Sequence, residues 1–412
     1  MTDTILVVRI LVVLLLIALA VILTTKRLSV PYTLGLVIVG LLISIFNLLP
    51  AIRLTPTLVL FVFLPALLFE GSWSSSVRQL QANWLTITLL AGPGILLELV
   101  LIAIPLHFLA GLDWSIAFLL SAILSPTDPI AVLGLFKQLK VNADLSTIIE
   151  GESLFNDGVA GSLYQVFLAL VLASIHGSPV TGIQAWLTGI GMFLLEAGGG
   201  ILLGLLCGFI ISRIVRRIDD PLIETTITLT TAYGVYLLAD TLHTSGILAV
   251  ILAALVLGSY GRSIGMSEQT RETIDNFWNV IAFLANALLF LLVGVELNPV
   301  RFFSTQSIAS FLLIAGITIV AVLLARFVMV LALPRHAPPA RGKLLPSWRF
   351  IIFWSGLRGA LSLALVLALP LDVPNREPLI FSTYAVVLFT LLVQGFSLRL
   401  ILKRLPLVAQ SE

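Results

Sequence analysis

Ser125-Pro126-Thr127-Asp128-Pro129 lies midway along an apolar stretch at residues 114–137. Two prolines three residues apart remove two backbone donors and bend any helix that contains them. In lipid the freed carbonyls have no water to bond, so this backbone must face protein or a watery cavity. It reads either as a kink, with Thr127 bonding back to its own helix, or as a broken helix whose ends hold an ion. A counterpart, Ser355-Gly356-Leu357-Arg358-Gly359, interrupts a second apolar stretch at 348–371. Interruptions paired between two halves of a chain point to a membrane transport site.

Composition widens the frame. The chain has 412 residues, 59% hydrophobic and 11% charged, where soluble proteins average about 45–50% and about 25%. A water-soluble fold is excluded. A formal charge of +2 without basic clusters argues against a nucleic-acid partner. One cysteine, Cys207, and four histidines with no His-Glu-x-x-His argue against disulfides, thiolate clusters and a zinc protease. A helix needs roughly 20 apolar residues to cross the hydrocarbon core. By that ruler there are thirteen spans: 4–25, 31–50, 55–71, 83–110, 114–137, 146–174, 183–214, 221–240, 245–261, 271–296, 302–334, 348–371 and 378–402. The first is too long for a signal h-region of roughly 7–15 residues and lacks a cleavage site, so it reads as a retained span. The sequence predicts an all-α polytopic membrane protein with about 13 transmembrane helices. Its inverted repeats bring the interrupted spans five and twelve to a crossing, where Asp128 and Arg358 neutralise half-helix ends. Residues 1–412 form one transmembrane domain with no soluble domain.

Orientation follows from the positive-inside rule. Of 23 Lys and Arg, three fall in outside loops (Arg53, Arg301, Arg376), three within spans (Arg9, Arg326, Arg358) and seventeen on inside segments if the N-terminus is outside. The expectation is a multi-pass protein of the lipid bilayer, N-terminus outside and C-terminus cytoplasmic.

A charge at the bilayer centre costs about 2.5–3.5 kcal/mol even on a lenient scale, so each one within a span needs an account. The sixth span opens with Gly151-Glu152-Ser153-Leu154-Phe155-Asn156-Asp157-Gly158. Ser153 and Asp157 share a helix face, and Glu152 and Asn156 the next. Carboxylate, hydroxyl and amide oxygens around one turn suit a hard monovalent cation. Glu152 also reads as an acid favouring a helix N-terminus; Asp157, about two turns inside, has no such alternative. Glu70 and Arg326 lie near span ends, where snorkelling competes with a buried role. Four carboxylates (Glu70, Asp128, Glu152, Asp157) against two arginines (Arg326, Arg358) leave −2. Such a cluster must take up protons or bind cations, and a site that does either can exchange one for the other. Arg9 can snorkel; Glu98 and Glu196 read as protonated or as facing a subunit contact. Gly200, Gly204 and Gly208 form a face for close helix packing, within the subunit rather than between subunits.

Four stretches in order, Phe63-Leu-Pro-Ala-Leu-Leu-Phe-Glu70-Gly71, Ser125 to Val132, Gly151 to Asp157 and Gly356-Leu-Arg-Gly-Ala360, resemble the monovalent cation:proton antiporter superfamily, in its NhaP and eukaryotic NHE branch. The resemblance implies a Na⁺ (or Li⁺)/H⁺ antiporter and a homodimer, with no cofactor besides the transported ions. It implies a core bundle including spans 3–6 and 10–13 and a separate interface bundle. Asp157 is then the main cation and proton carrier, and Thr127 (through its backbone), Asp128, Ser153 and Glu70 complete the Na⁺ site. Arg326 pairs with Glu152 and orients Asn156, and Arg358 stands beside the second break. Asn156-Asp157 resembles the electroneutral branch, which lacks a second Asp there. A K⁺/H⁺ antiporter of the same fold is the near rival. A channel lacks a visible filter segment, and an intramembrane enzyme lacks its own paired-aspartate motifs.

Overall fold

A computed structural model of the protein describes residues 2–28, 32–48, 55–177, 182–296, 308–333 and 345–404. Its elements are helices: α1 (Thr2–Leu28), α2 (Tyr32–Ile45), α3 (56–74), the short α4 (Val77–Ala82), α5 (Trp84–Phe108), α6 (Trp114–Leu124), α7 (Ile130–Leu139), α8 (Ala143–Ile175), α9 (Gly182–Val215), α10 (Pro221–Thr241), α11 (Gly246–Ile264), α12 (Glu268–Glu296), α13 (Ile308–Ala332), α14 (Pro346–Trp354), α15 (Ala360–Leu367) and α16 (Arg376–Arg404). Each of the thirteen apolar stretches carries one of them, or a pair of half-helices: α6 with α7 in span five, α14 with α15 in span twelve. Nine of the described helices are long and apolar enough to cross a membrane. Arg53, Arg301, Arg335, Arg341 and Lys343, with the ends of spans two and eleven, lie outside the described residues.

Local chemistry sets the helix ends. The Asn142 side chain accepts from the Asp144 amide to start α8. Asp220 accepts from the Leu222 and Ile223 amides, with Pro221 at the first position of α10, where its missing N–H costs nothing. Helices α3, α5, α11 and α16 each contain one π turn: Val59–Phe63, Leu90–Gly94, Leu257–Gly261 and Thr390–Gln394. Such a turn holds one extra residue and re-aims the face that follows it. The turn in α5 contains Pro93, whose absent donor suits a loosened ladder.

Lipid is as apolar as leucine, so helices associate through close packing of small residues. A Cβ on Gly200 of α9 would meet Ser245, the residue that caps α11, and one on Gly204 or Gly208 would meet Ala249, or Ala253 and Val256, of α11. The small-residue face is therefore spent within the subunit, as the sequence suggests. Gly40 of α2 and Gly294 of α12 likewise face each other, each against the other helix's backbone. Helix α13 packs on α5 and α16, and α8 on α6. Helices α3 and α12 lie against α11 and α2 respectively. The interrupted spans meet at their breaks, where the Asp128 N–H donates to the Leu357 carbonyl at 2.8 Å.

Candidate cation site

The first break is held by α8. Beyond Leu124 the Thr127 N–H has no helical acceptor and donates instead to Asn156 Oδ1 at 3.2 Å. Asn156 Nδ2 donates back to Thr127 Oγ1 at 2.9 Å. Thr127 Oγ1 also shares a hydrogen bond with Ser153 Oγ at 2.9 Å. All three residues are buried. Ser153 and Asn156 stand three apart on α8, so one helical turn presents both to the same threonine.

Asp157 follows directly and is half-buried; its Oδ1 is buried and receives no hydrogen bond from the protein. It lies in the electrostatic field of Asp128. Asp128 Oδ1 accepts from the Ile130 amide at 3.0 Å, capping α7. Its carboxyl occupies the place where a side chain on Gly359 would begin, directly before α15. One carboxylate thus serves the positive ends of two half-helices, and glycine at 359 leaves room for it.

Two buried arginines complete the centre. Arg326 of α13 forms a two-pronged ion pair with Glu152, with Nη2 to Oε2 at 2.9 Å, and also donates to the Ile352 carbonyl at 3.0 Å. It lies over Gly356, where a Cβ would press on its guanidinium. Arg358 is ion-paired with Glu98 of α5 and donates to the Ser125 and Pro126 carbonyls at the end of α6. Its own N–H donates to Thr390 Oγ1 at 3.1 Å. Arg358 therefore sits on the negative end of α6, as Asp128 sits on positive ends.

A model of the transmembrane sodium/hydrogen exchanger family matches residues 12–404. The chain belongs to that family. The exchanger is 37% identical to the low-affinity Na⁺/H⁺ antiporter NhaS1 of Synechocystis over 388 residues, covering 93% of this chain and 71% of that one. It is 36% identical to the Na⁺/H⁺ antiporter NhaH of Halobacillus aidingensis over 404 residues, 96% of each. Its fold is similar to that of the sodium proton antiporter MjNhaP1 of Methanocaldococcus jannaschii at pH 8, with a TM-score of 0.78 over all of both chains at 19% identity. It is a multi-pass membrane antiporter exchanging Na⁺ and H⁺, not an enzyme.

Of the residues singled out in the exchanger's sequence, Thr127, Asp128, Ser153, Asn156 and Asp157 come together at the crossing, flanked by the Glu152–Arg326 pair. Glu70 takes no part in the Thr127–Ser153–Asn156 hydrogen bonds. Glu150 of α8, which accepts from the Ser75 hydroxyl, acts on Glu70 through its charge, and Tyr32 lies in the fields of both Glu70 and Asp128. Asn156 is oriented by Thr127, not by Arg326, whose hydrogen-bonded donors go to Glu152 and Ile352. Glu98 proves to be the partner of Arg358. Its signal in the sequence is a mid-span carboxylate, which demands a partner but does not name one.

Proposed function

We propose that the exchanger moves Na⁺ (or Li⁺) against H⁺ by alternating access at one set of oxygens: Asp157, Asp128, Ser153 and the Thr127 backbone, with Glu70 towards the cytoplasm. The observation that carries this reading is Asp157 itself, a membrane-embedded carboxylate with a buried oxygen that no protein donor satisfies. It lies next to a hydroxyl and amide network at two helix breaks. Na⁺ and H⁺ compete for the same oxygens, so acid expels the cation and the cation expels the proton. A site never doubly occupied exchanges one ion for the other, provided the transport bundle moves only when loaded. With Asn156 beside it, Asp157 brings one carboxylate rather than two, which supports electroneutral exchange.

The moving bundle comprises spans 3–6 and 10–13. The ion pairs Glu98–Arg358 and Glu152–Arg326 tie α5, α8, α13 and the break of span twelve into one body, while α3 and α12 contact the interface bundle through α11 and α2. The exchanger acts as a homodimer. In support, α1 and α9 bury only 17% and 22% of their apolar windows within the subunit, against 61% for α12. The charge asymmetry supports an outside N-terminus and a cytoplasmic C-terminus.

Purified protein in proteoliposomes tests the reading. Imposed Na⁺ gradients drive H⁺ movement in the wild type, and Asp157→Asn abolishes it without unfolding the protein. Apparent Na⁺ affinity weakens as pH falls, with the saturated rate nearly unchanged. A saturated rate that drops while affinity stays constant would require a separate proton site. Movement driven by K⁺ and not by Na⁺ or Li⁺ would overturn the choice of cation.

A further inference from the structure

The exchange scheme above gives Glu98 no part in handling ions, yet it is a carboxylate in the centre of α5 with no exposed surface. Its Oε1 pairs with Arg358, which is also fully buried. Its Oε2 has no hydrogen-bond partner, so the two side chains touch at one point. Arg358 feels the charges of Arg326 and Glu152 as well, and Arg326 feels Glu98. Glu98, Arg358, Arg326 and Glu152, from four elements, therefore form one buried group of zero net charge.

That neutrality bears on the cation. The residues either side of Arg358 are the ones that touch Asp128: Leu357 accepts from its N–H, and Gly359 lies against its carboxyl. With Glu98 ionised, both arginines are already cancelled, and a cation meets Asp128 and Asp157 with no positive charge offsetting them. With Glu98 neutralised, the same group would carry +1, with Arg358 between the two residues that touch Asp128. The elements packed on α5 bring few other charges to Glu98. Helix α6 has none and α13 only Arg326. Helix α8 brings Glu152, with Asp144, Glu150 and Asp157 elsewhere along it, and the break of span twelve brings Arg358.

We propose that Glu98 is a positioning residue for ion exchange: it holds Arg358 on the Ser125 and Pro126 carbonyls and cancels its charge, keeping negative the field in which Asp128 and Asp157 take up cations. The proposal rests on the exchange reading above.

Glu98→Gln tests it, because the amide oxygen still accepts from Arg358 while the charge is gone. In proteoliposomes, apparent Na⁺ affinity at alkaline pH should weaken about tenfold, the effect of one charge across about 10 Å at an effective dielectric of about 20. The acid limb of the activity profile should move about one pH unit lower, since added positive charge releases the competing proton more readily. Glu98→Asp, which keeps the charge, should leave both at their wild-type values. A Gln variant with lower thermal stability but wild-type affinity and pH profile would overturn the proposal and leave Glu98 a structural anchor. If the Gln variant is not recovered folded, Glu98→Asp decides: altered affinity or profile there would overturn the proposal, and unaltered values would support it. Wild-type liposomes that fail to exchange Na⁺ for H⁺ would overturn the exchange reading and this proposal with it, whereas normal wild-type exchange confines any failure to Glu98.

Discussion

In span five the helix stops at residues that have no N–H to offer; in span twelve it stops although every residue from Ser355 to Gly359 has one. Pro126 and Pro129 break the first helix from within, and α8 then takes up the Thr127 donor that is left. The second break is imposed from outside. Leu357 turns its N–H back on the Ser355 carbonyl at 2.7 Å, and Arg358 gives its own to Thr390 of α16. Gly356 and Gly359 lack the side chains that would press on Arg326 and Asp128. One break comes from missing donors and the other from missing Cβ atoms. The first should therefore depend little on its neighbours, and the second almost wholly on them.

Substitutions at the two breaks put that difference to the test. The largest effect is expected of Gly359→Ala, whose Cβ would land on the Asp128 carboxyl. A shift of about 1 Å at a reacting centre costs about a hundredfold, so exchange measured with radioactive Na⁺ should fall by at least that order. Next come Glu152→Gln and Arg326→Ala. Each strands a buried charge and should cost about 3–5 kcal/mol, read as lowered thermal stability. The double variant should lose less than the sum, and strict additivity would show the two uncoupled. Thr390→Val removes the acceptor of a buried N–H in the second break and should cost about 1–3 kcal/mol. The smallest effect is expected of Pro126→Ala, which returns a donor that α6 can use by extending. Stability should change by less than about 1 kcal/mol, and exchange should fall only severalfold. A Pro126→Ala variant as inactive as Gly359→Ala would erase the distinction between the two breaks.

The same contrast explains what could be read in the chain. Spans need only length and apolarity, and a proline break is written in its own residues, so the thirteen stretches and residues 125–129 were legible. Ser153, Asn156 and Asp157 were legible as a group because helical spacing brings them onto adjoining faces. The roles of Gly356 and Gly359 were not, since a glycine does not say which atoms will crowd it. Glu98 stayed unassigned because its partner belongs to another span with no spacing rule between them. The count of four carboxylates against two arginines accordingly omitted it. Glu70 joins the Na⁺ site through the resemblance alone, and Glu150 is a charge that acts on it in the structure. No helical period relates residues on separate spans.

The four-charge group also bears on how the protein is made. Glu98 precedes Arg358 by 260 residues, and Glu152 precedes Arg326 by 174. At a synthesis rate of about 5–20 residues per second, Glu98 waits on the order of ten seconds or more before its partner exists. During that interval α5 and α8 stand in the bilayer with acids and no arginines. A carboxylic acid can wait in lipid by keeping its proton, whereas a guanidinium cannot shed its charge. With acids emerging first and arginines second, each arginine enters a membrane that already holds its counterion. The four-charge group can then close only once span twelve has left the ribosome.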